Sequence, residues 1–361
     1  MIRLDASTLT AFAAAALQAT GVGVAHAEIT AARLVAADLR GRTGHGLIRL
    51  PSYVTRIQAG GVNVDPGITV AHETPVSALI DGDNGLGQVV MTQATEIAIT
   101  KAKASGLAWV GTVGSNHAGA AGLYAEMAAD EGLIGIYLAV ANSNGMPPWG
   151  GTNPLLGTNP IAIAIPTEAH PFVLDIATTA ASHGSIKVAA QQGVPMPEGW
   201  VVDADGQPIT DPARADEGFL VPMGGYKGAG LTIAIGLLAG VLNGAAFGAD
   251  VIDHRRDAAS PTNTGQALLV LRADLFRAKD EVLAALTGHL DAIRRSGTRD
   301  GGPVRLPGDA AAQTRRDNEQ HGIAVPDVLA TDLDAMAQQL GVDSPFQRRS
   351  DGAVDLMAPG P

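Results

Sequence analysis

The sequence has no cysteine, and this absence removes several kinds of chemistry. Disulfides, thiolate metal sites and a thiol nucleophile are excluded, and a reducing cytoplasm is permitted because nothing implies an oxidising compartment. The H-E-x-x-H motif of metal hydrolases and the G-x-S-x-G elbow of serine hydrolases are also missing. Both classes of hydrolase are therefore disfavoured.

Basic residues are the minority among the charged residues. The chain carries 24 lysines and arginines against 36 acidic residues, for a net charge of −12. Its arginine pairs are scattered and mostly lie beside acids, so there is no basic stripe and a nucleic-acid partner is not expected. With 361 residues, 46% of them hydrophobic, the chain can bury a large core, and its length predicts two or more domains.

An apolar stretch near the N-terminus, AFAAAALQATGVGVAHA at residues 11–27, imitates a signal peptide and its cleavage site. However, Asp5 cancels the charge of Arg3, so the positive region that precedes a signal core is missing. The apolar side chains line one face of a helix, and we predict a helix of the mature protein. No stretch of the sequence is expected to span a membrane.

Short β-branched runs alternate with glycine-punctuated helices between residues 75 and 275, which predicts a sheet with helices against it rather than a regular βαβ repeat. Two helices are predicted within residues 5–41, and Pro51 is expected to limit any helix beyond it. The other predicted helices are residues 89–104, 119–131, 228–242, 310–320 and 326–340. The predicted strands are residues 107–113, 133–140, 161–165, 172–176 and 267–271. Residues 195–218, rich in Pro, Gly and Asp, predict a surface excursion.

The stretch VGTVGSNHAGAAGLYAEMAADEGLIGI, residues 110–136, has the strand–loop–helix order of a Rossmann dinucleotide turn. Such a turn needs G-x-G-x-x-G directly after the strand, so that backbone amides reach the pyrophosphate. The glycine spacing here is wrong, and the next strand ends at Asn142-Ser143, where an acid for the ribose would be expected. A second candidate, GLGQVV at residues 85–90, is rejected because no apolar strand is predicted before it. The Rossmann interpretation therefore fails.

What remains is a glycine-rich loop that carries His117. A lone histidine is more often a structural imidazole bonded to backbone carbonyls. A second histidine, His45, lies in an equally glycine-rich turn, GRTGHGLIRLP. Four residues later, Arg49 can hold a carboxylate through two parallel hydrogen bonds. This combination favours a functional site, whereas Asp175 or Lys227 alone would be interpreted as a helix cap or a solvated charge.

At these residues the sequence resembles the type 2 malate/L-lactate dehydrogenase family, which includes ureidoglycolate and sulfolactate dehydrogenases and piperideine-2-carboxylate reductases. Nine matching stretches follow one another in family order. They are ADLRGRTGHGLIRLPSYV, DGDNGLGQVV, SNHAGAAGLYAEMAADEGLIGI, PPWGGTNPLLGTNPIAIAIP, FVLDIATT, VPMPEGWVVDADGQPITDP, GGYKGAGL, GVLNGAAFG and VRLPG.

The resemblance implies an α+β fold with a non-Rossmann, largely antiparallel nucleotide-binding sheet and a helical domain formed from both chain ends. We expect the helical domain to comprise residues 1–74 and 305–361. Residues 75–304 then form the NAD(P)-binding and substrate domain, with a surface excursion near 190–220. A cytoplasmic homodimer is also implied.

The resemblance also implies roles for individual residues. His117 matches the histidine proposed to take the proton from the substrate hydroxyl as hydride leaves its carbon, and imidazole suits this because its ordinary pKa is near working pH. His45 matches the proton donor of the imine reductases, and Arg49 matches the arginine that holds the substrate carboxylate. Asn116 is a further predicted substrate contact, and Asp175 is expected to orient a catalytic histidine. The predicted contacts with NAD or NADP are Ser143, Asp175, Ile176, Ala177, Lys227, Gly228 and Arg305. No metal is predicted.

Three positions depart from the family pattern. Gly44 replaces the usual serine before His45, Ser185 stands where a lysine is frequent, and Ala118 replaces an aromatic residue. These departures leave open the substrate, the stereochemistry and the division of labour between the two histidines.

The leading hypothesis is NAD(P)-dependent hydride transfer between a small 2-hydroxy acid and its 2-oxo acid. The alternative is reduction of a cyclic or N-alkyl 2-imino acid. A non-catalytic nucleotide-binding protein is disfavoured because His45, Arg49, His117 and Asp175 are all present. The choice between NAD and NADP stays open, since the acid-or-arginine rule applies to Rossmann sites only.

Overall fold

The computed structural model describes residues 2–299 and 301–346. Within these residues the α-helices are α1 (Ala6–Gln18), α2 (Val24–Leu39), α3 (Leu50–Gln58), α4 (Gly87–Ser105), α5 (Gly122–Asp130), α6 (His183–Gln192), α7 (Tyr226–Ala239), α8 (Lys279–Arg294), α9 (Asp309–His321) and α10 (Asp327–Leu340). The strands are β1 (Ile2–Leu4), β2 (Thr69–Thr74), β3 (Ser77–Gly85), β4 (Leu107–Ser115), β5 (Leu133–Ala139), β6 (Ile161–Ile165), β7 (Phe172–Ile176), β8 (Val201–Val202), β9 (Phe219–Leu220), β10 (Gln266–Arg272) and β11 (Ile323–Val325).

A seven-stranded sheet in the order β2-β3-β4-β10-β5-β6-β7 organises the middle of the chain. All neighbours in it run antiparallel except β3 and β4, which are parallel. Helices lie on both faces because side chains along a strand alternate in direction. Leu268 of β10 packs with α4 and α5 on one face, while its neighbour Ala267 packs with α7 on the other. The predicted sheet with helices against it is confirmed.

A second core joins residues from the two ends of the chain. Strand β1 pairs antiparallel with β11, placing Ile2 opposite Val325. Apolar side chains of α1, α2, α3 and α10 fill this core, among them the fully buried Leu34 and Leu333. Asp5 caps α1 by accepting the Thr8 amide, 2.7 Å away. The region 11–27 therefore forms the end of α1 and the start of α2, as the helical interpretation predicted.

Most predicted elements agree with the structure, but two expectations are wrong. Helix α3 continues past Pro51, because proline in the first helical turn lacks only an amide hydrogen that has no partner there. Strand β3 does precede GLGQVV. It was not predicted because only alternate residues of β3 are buried, so its sequence shows no continuous apolar run. Most of residues 195–218 are exposed. Val201 of β8 nevertheless packs in a small core with Leu220 of the neighbouring strand β9.

The expectation that no stretch could span a membrane also meets an exception. The segment Tyr226–Asn243 is long and apolar enough by length and composition, with a mean hydropathy of 1.3 over 18 residues. Of this segment, 44% is buried within the protein. A core helix of a packed domain satisfies the same criterion.

Candidate active site

One cavity of about 1150 Å³ brings together most of the predicted site residues. It lies where the turns before α3, the end of β4, the end of β7 and the start of α6 meet. The predicted residues that line it are His45, Arg49, Asn116, His117, Ser143, Asp175, Ile176 and Ala177. Residues distant in sequence thus share one space large enough for a substrate beside a larger ligand.

The turn that carries His45 and Arg49 is held in place by the carboxylate of Asp38. Two short 3-10 turns, Thr43–His45 and Leu47–Arg49, follow α2. The buried carboxylate of Asp38 accepts the amide of Leu47 at 2.8 Å, and a Cβ on Gly46 would overlap that carboxylate. Burial raises the pKa of Asp38 to about 7. Glycine at position 46 is therefore a requirement of this close approach.

The guanidinium of Arg49 is fixed at one end and free at the other. Its Nε donates to the carbonyl oxygen of Gly44 at 2.7 Å. Among residues 2–299 and 301–346, no carboxylate forms an ion pair with Arg49. Burial lowers its pKa. A buried cation without an anion is costly, so this side chain is prepared to receive one.

His117 follows β4, and one of its ring nitrogens is already bonded within the protein. Its Nδ1 lies 2.7 Å from the hydroxyl of Tyr53, so Nε2 is the nitrogen that remains for a ligand. Burial lowers the pKa of His117 well below its ordinary value, and the positive charge of Arg49 lowers it further. The imidazole is therefore neutral at pH 7 in the ligand-free protein.

His45 stacks on His117 but has no partner for Nδ1, which is buried. Burial lowers the pKa of His45 to about 3, with further contributions from the charges of Arg49 and Arg42. His45 is thus also neutral, with a buried nitrogen that no donor or acceptor in the described part of the chain satisfies. Such an unsatisfied atom costs free energy and is typical of a functional position.

Asn116 and Asp175 both line the cavity, and the side chain of Asn116 is already hydrogen-bonded. The amide of Asn116 donates to the Asn84 carbonyl oxygen at 2.8 Å, and its oxygen accepts from Arg56 at 3.1 Å. Burial raises the pKa of Asp175, while the charge of Arg42 and the amide of Gly122 oppose that shift. In the part of the chain that the structure describes, no hydrogen bond joins Asp175 to either imidazole. The predicted roles of both residues stay predictions.

Three predicted cofactor residues do not line this cavity. Lys227 and Gly228 lie in the first turn of α7, where the lysine is exposed and the glycine is buried against Met223. Arg305 is exposed between α8 and α9. The structure does not bring these residues to the two histidines, and their contacts stay predictions.

The model of the malate/L-lactate dehydrogenase family matches residues 4–334. The L-sulfolactate dehydrogenase of Methanocaldococcus jannaschii is 38% identical over 331 residues, which cover 91% of this chain and 94% of that protein. The chain belongs to the malate/L-lactate dehydrogenase family. The solved structure of sulfolactate dehydrogenase from the same organism covers 95% of this chain and 98% of its own, with a TM-score of 0.86 and 36% identity. A Δ1-pyrroline-2-carboxylate/Δ1-piperideine-2-carboxylate reductase from Pseudomonas putida is 33% identical over 348 residues, covering 94% of this chain and 98% of that protein.

The glycine before His45 has a local physical reason. A Cβ on Gly44 would lie 3.2 Å from the Cα of Gly184, at the start of α6. The two glycines let α6 approach the turn closely, and no hydroxyl is present at position 44 to reach His45. Ser182 caps α6, because its Oγ accepts the backbone amide of Ser185 at 3.0 Å. The hydroxyl of Ser185 lies 3.0 Å from that of Ser182.

Three residues that line the cavity were not identified as site residues from the sequence. Tyr53 had a signal, since it follows Arg49 by four residues and so lies on the same side of α3. His183 and His254 also line the cavity, and burial lowers the pKa of each to about 4. They come from α6 and from a segment without regular structure, so neither had a spacing signal.

Proposed function

We propose that this protein is an NAD(P)-dependent oxidoreductase that interconverts a small 2-hydroxy acid and its 2-oxo acid. The observation that carries this proposal is the unpaired guanidinium of Arg49 in the same cavity as the free nitrogen of His117. A carboxylate on Arg49 fixes the neighbouring C2 carbon, and an imidazole within reach can take or give the proton of the C2 oxygen. Carboxylate binding and proton transfer are the two tasks that this reaction asks of side chains.

His117 and Arg49 act together in this mechanism. In the oxidation direction, Nε2 of His117 takes the hydroxyl proton while the C2 hydride leaves; in the reduction direction, the proton returns to the oxygen. The substrate carboxylate neutralises Arg49, which removes one of the charges that lower the pKa of His117. Substrate binding thus makes His117 a better proton acceptor. His45 stacks on His117 and is proposed to donate a proton when the substrate is an imine.

NAD or NADP supplies the hydride acceptor or donor of this chemistry when bound. The fit is supported by the size of the cavity and by Arg42, which lines it and, among the described residues, has no hydrogen bond or ion pair for its side chain. An unpaired arginine suits a phosphate group. Ser143, Ile176 and Ala177 are proposed to border the cofactor. A relative from Chromohalobacter salexigens is named a (2R)-3-sulfolactate dehydrogenase (NADP(+)), and one from Escherichia coli O157:H7 a ureidoglycolate dehydrogenase (NAD(+)), so both cofactors are tested.

The finer fold assignment is also part of the proposal. We infer a non-Rossmann nucleotide-binding sheet, supported by the single parallel pair among the seven strands. The pairing of β1 with β11 supports a helical domain built from both chain ends, with the expected limits 1–74 and 305–361. Residues 347–361 of that range lie outside the described residues.

A cytoplasmic homodimer is the proposed state of the protein. Helix α7 and the turn after it leave large apolar side chains exposed, including Leu237 at 49%, Val241 at 55% and Leu242 at 64%. Burying this face against a second copy would remove it from water. Sedimentation should give the mass of a dimer, and Leu242→Asp should shift it towards monomer. A monomeric wild type contradicts this part of the proposal.

The second candidate is reduction of cyclic 2-imino acids, which the named reductase from Pseudomonas putida favours. It needs the same carboxylate anchor and a proton for nitrogen instead of oxygen. One screen separates the candidates. Purified protein is assayed with NADH and NADPH against pyruvate, oxaloacetate, sulfopyruvate and piperideine-2-carboxylate, and with ureidoglycolate in the oxidation direction. Turnover of an oxo acid supports the leading proposal, turnover of the imine alone supports the second, and no turnover with either cofactor contradicts both.

A further inference from the structure

Three side chains form a series of hydrogen bonds on the side of the His117 ring opposite Nε2. The amide Nε2 of Gln88 donates to the hydroxyl oxygen of Tyr53 at 2.8 Å. That hydroxyl lies 2.7 Å from Nδ1 of His117 and 3.3 Å from the carbonyl oxygen of the same residue. Gln88 is fully buried and Tyr53 nearly so.

The number of available hydrogens determines which atom donates in each of these hydrogen bonds. A tyrosine hydroxyl has one hydrogen and can accept others. Because Gln88 already donates to the oxygen, the hydrogen of Tyr53 is left to point towards His117, where Nδ1 is nearer than the carbonyl oxygen. Burial raises the pKa of Tyr53 to about 12, so the hydroxyl keeps its hydrogen near neutral pH.

We propose that Tyr53, anchored by Gln88, is a positioning residue that sets which nitrogen of His117 carries the hydrogen. In the resting protein it donates to Nδ1, so the hydrogen of the neutral ring is on Nε2, facing the cavity. When Nδ1 carries a hydrogen, the same oxygen accepts it and the hydroxyl hydrogen turns to the carbonyl oxygen of His117. The amide of Gln88 holds the oxygen in place in both arrangements, so the heavy atoms stay fixed while the ring releases a proton from Nε2 to solvent in the cavity and takes up another on Nδ1.

The two arrangements match the two oxidation states of a substrate. With hydrogen on Nε2, His117 donates a hydrogen bond to the C2 oxygen of a 2-oxo acid. Transfer of that proton to the oxygen requires a second hydrogen on Nδ1, so that the ring left behind is neutral. With hydrogen on Nδ1, Nε2 accepts the hydroxyl of a 2-hydroxy acid and can take its proton. This substrate assignment rests on the proposed function, whereas the position of the ring hydrogen does not.

The direct test is nitrogen-15 NMR of the ring nitrogens in the full-length protein, labelled at its nine histidines and free of substrate. The signals of His117 are identified by their loss in His117→Gln. We expect an unprotonated, hydrogen-bonded Nδ1 and a protonated Nε2 above pH 7. In Tyr53→Phe the Nδ1 signal should move to the position of a nitrogen without a donor, and Gln88→Met should produce a smaller shift in the same direction. A protonated Nδ1 in the wild type, or an unchanged signal in Tyr53→Phe, overturns the inference.

Kinetics supply a second readout once a substrate is known. Tyr53→Phe should lower kcat by roughly 10- to 100-fold, a part of the whole contribution of acid–base catalysis, with little change in KM because Arg49 remains. Tyr124→Phe is the matched control, since Tyr124 is also buried but donates to the Ala118 carbonyl oxygen at 2.6 Å. It should leave the His117 signals and kcat nearly unchanged. Absence of turnover with every acid would refute the proposed function while the NMR result still decides this inference.

Discussion

The imidazole rings of His45 and His117 stack nearly parallel, with centroids 5.5 Å apart and 16° between their planes. Their bonding differs, since Nδ1 of His117 is bonded to Tyr53 while Nδ1 of His45 is buried without a partner. Hydrogen bonding orients an acid–base imidazole and selects its tautomer. The structure therefore favours His117 as the residue that exchanges a proton with a 2-hydroxy or 2-oxo acid.

Replacement of His117 by alanine tests this assignment. We expect kcat to fall by about 10² to 10⁴-fold, the usual contribution of general acid–base catalysis, while cofactor affinity is nearly kept. His45→Ala should reduce the rate less with an oxo acid and more with an imine. Steady-state kinetics together with cofactor titration measure both effects. Retention of most activity by His117→Ala on the best substrate would show that the proton is handled elsewhere.

Arg49→Lys separates a substrate anchor from a structural cation. Lysine keeps the charge but loses the planar pair of donors that holds a carboxylate in one orientation. A misplaced C2 carbon slows hydride transfer, so kcat should fall as KM rises, together by roughly 10²-fold or more in kcat/KM. The melting temperature should change little. Arg315→Lys is a control, because Arg315 pairs with Glu319 on the exposed surface of α9. Near-wild-type kcat/KM in Arg49→Lys would refute the anchor.

Gly46→Ala tests the support of the turn that carries His45 and Arg49. A methyl group here overlaps the buried carboxylate of Asp38, which cannot move without losing the Leu47 amide. We expect a loss of roughly 2–4 kcal/mol in the free energy of unfolding, in the range of severe overpacking. Gly288→Ala is the matched control, since nothing lies within 4 Å of the added atom in α8. It should stabilise the protein by about 0.5–1 kcal/mol. Equal effects of both variants in urea unfolding would contradict the close contact.

Seven of the ten described α-helices and five strands of the large sheet could be predicted because their signals are local. Strands β6 and β7 have the predicted limits, and α4, α5 and α10 differ from prediction by only a few residues. Strands β1 and β11 could not be found in this way, since three-residue strands at opposite ends of the chain are specified by pairing with each other. Helix α8 was missed as well, and it contains no fully buried side chain that would mark an apolar face.

The site residues show the same difference between local signals and contacts across the fold. His45, Arg49 and His117 had local signals, namely glycine-rich turns and helical spacing. The contact between Gly44 and Gly184, and the bond from Gln88 to Tyr53, depend on how α6 and α4 pack against the turn and α3. Such relationships between distant residues have no counterpart in spacing along the sequence, and only the packed structure reveals them.

The buried histidines predict how stability depends on pH. Burial lowers the pKa of His45 to about 3 and those of His183 and His254 to about 4, and it lowers that of His117 as well. Histidines of the unfolded chain titrate near 6.5. Between about pH 6.5 and 4 the unfolded chain therefore binds more protons than the folded protein, and stability should fall as the pH decreases.

Asp38 acts in the opposite sense over part of this range. Its pKa of about 7 means that the folded protein binds a proton that the unfolded chain releases, so this group stabilises the fold as the pH falls from 7 towards 4. Burial also raises the pKa of Asp175, which acts in the same sense as Asp38. The four histidines outweigh these two carboxyl groups, and the melting temperature should fall by roughly 5 °C or more between pH 6.5 and 4.5. Asp38→Asn keeps an acceptor for Leu47 but cannot take up the proton, so its decrease should be steeper than that of the wild type. His183→Gln should make the decrease shallower, because it removes one group whose protonation favours the unfolded chain. A melting temperature that stays constant or rises over this interval would mean that the imidazoles accept protons without unfolding.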